Sequence, residues 1–140
     1  MQVEDYIHIQ ALVARYSDAA NRQDPVAMAA VYAPHGRLIA FGNEPYVGRE
    51  KIQEIFQGSM GRVEYLTQIC AAGIIDIQGD WATGRWTVTE FAKHKDGDKL
   101  TYFQGSYEDV MVRTPEGWLF EQRILKRTAQ ARFEAALRAS

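Results

Sequence analysis

Beyond Arg62 the apolar residues stop recurring at helical spacing and begin to alternate, and three turn signals cut the remaining chain into long extended segments. The signals are Gly79-Asp80, Asp96-Gly97-Asp98 and Thr114-Pro115-Glu116-Gly117. They leave strands of about Val63 to Gln78, Trp81 to His94, Lys99 to Arg113 and Trp118 to Thr128. Loops this short join antiparallel neighbours, so a meander is expected. Strands this long cannot stay flat, and Gly73, Gly84 and Gly105 are the expected sites of bulges or bends. A curled sheet has a concave face, and something apolar must cover it.

The first 61 residues supply that cover. Ile9, Leu12, Val13, Tyr16 and Ala20 follow helical spacing between Val3 and Arg22 with no glycine or proline among them. Asp24-Pro25 provides a capping oxygen and a proline at a first helical position, which starts a second helix expected to run through Met28, Val31 and Tyr32 until Pro34 stops it. Arg37 to Phe41 reads as a short strand, Gly42 to Pro45 as a turn, and Tyr46-Val47 as its return. Gly48 opens a third helix with Ile52, Ile55 and Phe56 on one face, ended by Gly58 or Gly61. The tail from Ala129 to Ala139 reads as a last short helix. The expected fold class is α+β: N-terminal helices packed on a strongly curved, mostly antiparallel sheet that forms a cone with an internal pocket, as one domain over residues 1–140.

Composition narrows the function classes. A net charge of −2 offers no basic footprint for nucleic acid or an anionic membrane, and no apolar run reaches the roughly 20 residues of a membrane span. Glu4 and Asp5 stand where a signal peptide would be basic, so a cytoplasmic protein is expected. Cys70 is the only cysteine, which rules out an intrachain disulfide and reads as buried filler rather than a nucleophile. His8, His35 and His94 share no zinc-ligand spacing, and no metal and no cofactor are expected.

Chemistry concentrates on the second long strand. Ala82, Gly84, Trp86, Val88 and Ala92 form its apolar face against Thr83, Arg85, Thr87 and Thr89 on the other, and Glu90 falls in step with the apolar set. Glu90 is either a desolvated carboxylate suited to moving protons or a strand-end carboxylate that reaches water or an arginine. In the third long strand Tyr107, Asp109 and Met111 alternate with Glu108, Val110 and Val112, and periodicity alone leaves its facing open. Tyr16 lies on the stripe of helix one, either as a structural tyrosine or as a hydroxyl aimed into the pocket, whereas Asp18 lies off that stripe.

Three stretches, in order and spacing, resemble the SnoaL-like branch of the nuclear transport factor 2-like superfamily: Ala14-Arg15-Tyr16-Ser17-Asp18 through Asn21 to Asp24, Ala82 to Trp86, and Gly105 to Asp109 through Arg113 to Trp118. The resemblance implies the same cone, of the scytalone dehydratase and ketosteroid isomerase type, dimerisation through the outer sheet face, and cofactor-free proton movement on hydrophobic substrates. It matches Tyr16 to an oxyanion donor, Glu90 to an acidic pocket position of a bile acid dehydratase, Asp109 to the isomerases' protonated aspartate, and Arg123 to a pocket arginine of a dehydrochlorinase. It also implies two losses, because Asn21 and Gln68 (or Thr67) stand where dehydratases carry a His-Asp dyad, and Ile39 or Ala40 where isomerases carry a basic aspartate. The matches favour the inward facing of the third strand.

These readings set the expectations. The pocket takes a small hydrophobic or aromatic molecule, with no nucleic acid or membrane partner, in a homodimer paired through the face bearing Trp81 and Phe91. A dehydratase-type lyase or isomerase would use Glu90 for proton transfer with Tyr16 and Asp109 as hydrogen-bond donors. Asn21, Gln68, Trp86, Val88, Tyr107, Met111 and Arg123 would bind the substrate. The rival is a non-catalytic binding or association domain of the same fold, favoured by loss of the dyad.

Overall fold

The computed structural model of the chain describes residues 2–134. Helix α1 (Gln2–Asn21) buries Ile9, Leu12, Val13, Tyr16, Ala19 and Ala20, the stripe that its periodicity requires. Helix α2 (Pro25–Ala30) starts with the Asp24 carboxylate accepting the Ala27 N–H at 3.0 Å and proline in the first turn. Helix α3 (Arg49–Gly61) buries Ile52 and Phe56. None of these helices is long and apolar enough to cross a membrane.

Seven strands form one sheet: β1 (Tyr32–Ala40), β2 (Tyr46–Val47), β3 (Val63–Cys70), β4 (Ile74–Gln78), β5 (Trp81–His94), β6 (Lys99–Thr114) and β7 (Gly117–Glu134). Their order is β2-β1-β7-β6-β5-β3, with β4 also paired to β5. Only β1 and β7 run parallel; β5, β6 and β7 make the expected antiparallel meander. The register slips at Gln104/Gly105 and Val110/Met111, so Gly105 marks a bulge as its sequence position suggests.

The structure corrects four details of the sequence reading. Helix α2 ends at Ala30 rather than at Pro34, because the Val31 carbonyl accepts the Phe120 N–H at 2.9 Å and Tyr32 already pairs with Phe120. Pro34 sits in β1, inside the irregularity between Tyr32 and Arg37 where the ladder demands no N–H from it. The stretch from Val63 to Gln78 is two strands, since the chain breaks at residues 71–73 and a Cβ on Gly73 would collide with the Arg85 carbonyl and the Trp86 ring. Gly84 makes no bulge; it lies in regular pairing between Ile75 and Asp109, and its missing side chain leaves room for Trp86 and Met111. Residues Ala129 to Glu134 extend β7 against Lys99 to Gln104 instead of forming a helix, and the rest of the expected terminal helix lies outside the described residues.

The helices lie on one face of this sheet. Their apolar stripes meet Trp86, Val88, Ala92, Tyr107, Met111 and Phe120 in a single core. At one end Asp5 of α1 accepts two N–H bonds from Arg113, at 2.7 and 2.9 Å, and one from Trp118 at 3.0 Å. Those bonds, Arg113 foremost, pull the Asp5 pKa down to about 2 and tie the start of the helix to the end of β6.

Candidate functional site

The alternation of β5 decides where the chemistry sits. Ala82, Gly84, Trp86, Val88 and Ala92 are buried against the helices, and Glu90, at the same parity, is partly buried between Gln68 of β3 and Phe103 of β6. The facing of β6, open from sequence, is inward for Phe103, Gly105, Tyr107, Asp109 and Met111.

Glu90 opens onto a cavity of about 290 Å³. Tyr16, Gln68, Glu90 and Tyr107 line its closed end, where Tyr16, Gln68 and Tyr107 are almost wholly buried. Met28, Leu66, Ala92, Phe103 and Leu125 form apolar walls. The open end is bounded by Phe41, Met60, Arg62, His94 and Thr101.

Gln68 organises the closed end. Its Oε1 accepts the Ser17 hydroxyl at 3.1 Å, which directs its Nε2 to donate to Glu90 Oε1 at 3.2 Å and to the Tyr107 hydroxyl at 3.3 Å. Asn21 holds the backbone of the same residue on both sides, accepting the Gln68 N–H at 2.6 Å and donating to the Gln68 carbonyl at 3.1 Å. Asn21 and Gln68 thus do meet, through the main chain of Gln68. Burial raises the Glu90 pKa, and the Gln68 hydrogen bond works against that rise. Glu90 Oε2 accepts no hydrogen bond from any described residue.

Behind this end lies a fully buried charge cluster. Arg123 Nε donates to Asp109 Oδ1 at 2.9 Å, its Nη2 to Asp109 Oδ2 at 3.0 Å, and Trp86 Nε1 adds a third donor to Oδ2 at 2.7 Å. The guanidinium carbon lies 4.6, 3.6 and 4.1 Å from the ring centroids of Tyr16, Tyr107 and Phe120. Among the described residues, Arg123 Nη1 and the Tyr32 hydroxyl have no hydrogen-bond partner. Burial pushes the Tyr16 phenol up to about 12, moderated by Arg123, and it raises Tyr107 and Tyr32 as well. The thiol of Cys70, half-buried nearby, is pushed up to about 11 by the same desolvation.

Four of the expected site residues, Tyr16, Gln68, Glu90 and Tyr107, line the cavity together. Trp86, Val88, Met111, Arg123 and Asp109 stand behind its wall, and Asn21 supports it from the helix end. Asp109, expected as a hydrogen-bond donor, receives three N–H bonds here and stands behind the cavity wall, away from a bound molecule. Burial raises its pKa, and the bidentate arginine opposes that rise. The sequence reading missed Arg62, His94, Thr101 and the apolar lining of Phe41, Met60, Leu66 and Phe103. His94 did carry a signal, since it lies four residues beyond Glu90 and therefore on the same strand face.

Among the described residues no group of three or more His, Cys, Asp or Glu side chains is placed to hold a metal ion. A carboxylate with one free oxygen, held by an amide beside two phenols in an apolar chamber, can take a proton from carbon and place hydroxyls near the oxygen that becomes negative.

Comparison with known proteins agrees with this architecture. A sequence model described as the SnoaL-like domain matches residues 1–124. No curated protein matches the chain. Among solved structures, a Novosphingobium aromaticivorans protein provisionally named an aromatic ring hydroxylase is 23% identical, with a TM-score of 0.86 over 94% of both chains. Another from the same organism, provisionally named a scytalone dehydratase, is 18% identical, with a TM-score of 0.87 over 99% of this chain and 93% of its own. A type 2 hexachlorocyclohexane dehydrochlorinase is 12% identical with a TM-score of 0.89 over 99% of this chain and 95% of its own. At these identities the likeness is one of fold.

Proposed function

This chain belongs to the SnoaL-like domain family, and on that premise we propose that its cavity carries out a cofactor-independent elimination or isomerisation on a small hydrophobic or aromatic molecule. The observation that carries the reading is Glu90, with Oε1 fixed by Gln68 and Oε2 open to the cavity. In the proposed reaction Glu90 Oε2 takes the proton from a carbon next to a carbonyl. The electron pair left behind moves onto the carbonyl oxygen, where the Tyr16 and Tyr107 hydroxyls donate to the enolate. In elimination the enolate collapses, expels hydroxide from the next carbon, and Glu90 returns the proton to make water. In isomerisation Glu90 returns it to a different carbon. The raised pKa suits both halves, because it makes the carboxylate a stronger base than an ordinary one for taking the proton that it later returns.

The same geometry serves a binding pocket without turnover, a reading favoured by Asn21 and Gln68, neither of which titrates. Proton exchange separates the two. Aryl ketones bearing α-protons, incubated with the protein in D₂O and followed by proton NMR, should exchange faster than in buffer, and Glu90→Gln should abolish the excess. Exchange at the buffer rate, or excess exchange that survives the substitution, would remove the catalytic reading.

A further inference from the structure

We propose that the open end of the cavity is a subsite for an anionic group, so that the molecule this site takes is an amphipathic acid with a carboxylate at the end away from Glu90. The proposal rests on the cavity being a small-molecule site and names what enters it.

Polarity changes sign along the chamber. Among the described residues Glu90 is the only acidic one in its lining, and it sits at the closed end. The polar side chains bounding the open end are Ser59, Arg62, His94 and Thr101, which offer donors. Thr101 Oγ1 lies 3.1 Å from His94 Nε2, which fixes the ring, and His94 Nδ1 has no hydrogen-bond partner among the described residues. Arg62 forms no ion pair with a described carboxylate, although ion pairs hold Arg22, Arg113 and Arg123 elsewhere. A donor-only guanidinium beside an imidazole, at the mouth of an apolar chamber, is complementary to a carboxylate.

A second guanidinium stacks on Phe41, one of the residues bounding the opening. The Arg127 guanidinium carbon lies 3.9 Å from the Phe41 ring centroid, and Phe41 stands edge-on to Phe103 at 5.8 Å. Phe41 holds a φ of 56°, a left-handed conformation that a bulky residue adopts only when its surroundings impose it. The other non-glycine residue with positive φ, Gln23, also serves this end: its Nε2 donates to the Met60 carbonyl at 3.5 Å and the Val63 carbonyl at 3.0 Å, fixing the chain on both sides of Arg62. Both left-handed side chains thus converge on one opening.

The distance suits a ligand of defined length. Glu90 and His94 are four residues apart on one strand, about 13 Å along an extended backbone. A carboxylate at the rim would therefore sit far from Glu90, and separation alone limits the repulsion between the two. One fused ring pair, or one ring with a short chain, fills the apolar span between them.

Calorimetric titration of the full chain with cinnamate and 2-naphthylacetate, each beside its neutral amide, tests the proposal. We expect the acids to bind about tenfold more tightly than the amides, the difference that one charge-assisted contact supplies. Added salt should weaken the acids and spare the amides. Arg62→Gln and Arg127→Gln, at exposed positions whose folding circular dichroism checks, should each reduce the preference, and together they should abolish it. Equal affinity for acid and amide overturns the anionic subsite while the cavity reading stands, and so does a preference that survives the double substitution. Binding of neither class overturns both.

Discussion

The Arg123 guanidinium carbon lies 3.6 Å from the centre of the Tyr107 ring, closer than to any other aromatic it touches. A cation on the ring face favours the phenolate, so Arg123 offsets part of the rise that burial imposes on this tyrosine. The same guanidinium is anchored by Asp109, and the two have no contact with solvent. Arg123→Met or Asp109→Asn should each lower the unfolding free energy by about 3–5 kcal/mol, the usual cost of leaving one buried charge unpaired. Replacing both should cost less than the sum of the two. Urea titrations of the two single variants and the double variant measure this, and additive losses would mean that the pair is not coupled.

Glu90 sets the pH dependence. Its folded pKa is raised above the ordinary value of 4.5, so the folded state holds its proton over a range of pH where the unfolded chain has released it. Stability from this group therefore declines as pH rises from about 4.5 through the folded pKa, and it is intact below that range. Glu90→Gln removes the decline. The variant should melt higher than the parent at pH 7 and lose this advantage at pH 4, while it loses proton exchange at every pH. Paired thermal melts check the sign, and a variant that melts lower at pH 7 would place Glu90 among the stabilising charges instead.

Asn21 should matter more to the site than its exposed position suggests. Its two bonds to the Gln68 main chain hold the residue that aims Glu90 and Tyr107. Asn21→Ala should cost about 1–2 kcal/mol, two modest hydrogen bonds. If the proposed chemistry operates, it should also slow turnover with little change in affinity, because the walls are untouched. Asn21→Asp keeps the acceptor for the Gln68 N–H and sets a carboxylate against the Gln68 carbonyl, so it should restore only part of the loss. Steady-state kinetics and calorimetry on the two variants separate these effects.

The outer face of the sheet carries Ile69, Ile74 and Trp81 exposed on β3, β4 and β5. They are spread along β5, beside Thr89, at Arg85 and at Trp81 itself, and if this face is an association surface a second copy of this chain is the expected partner. Light scattering at micromolar concentration should give twice the 15.9 kDa chain mass. Trp81→Glu should shift it to the monomer, and a wild-type mass near 16 kDa removes the expectation.

Where one face is dry and the other wet, alternation alone identifies the buried face. β5 satisfied that condition, and the inward position of Glu90 followed from Trp86 and Val88. β6 did not, because its inward face includes Asp109, whose buried partner Arg123 lies on β7, while its outward Val110 and Val112 are half-buried. No local pattern records that pairing. The end of the chain misled for a related reason: Ala129 to Ala139 is rich in strong helix formers, but the ladder from Lys99 to Gln104 claims its first part as strand. The rim is less legible: metal-ligand spacing says nothing of His94, whose place in the cavity follows from its parity with Glu90. The break at residues 71–73 depends on how closely Gly73 approaches the Arg85 main chain, a contact between strands that sequence spacing does not encode.

The open end of the cavity includes a kind of backbone that the closed end lacks. Gln68, Glu90 and Tyr107 stand within continuous ladders, where inserting or deleting one residue would turn each side chain to the opposite face. Phe41 lies just past the last residue of β1, while Met60 and Arg62 lie at the end of α3 and in the junction that follows it. Those positions tolerate changes of length and shape that the ladders do not. A lineage carrying this scaffold can therefore alter what it admits at one end without disturbing the side chains that line the other, and its descendants would diverge at the rim sooner than at the floor.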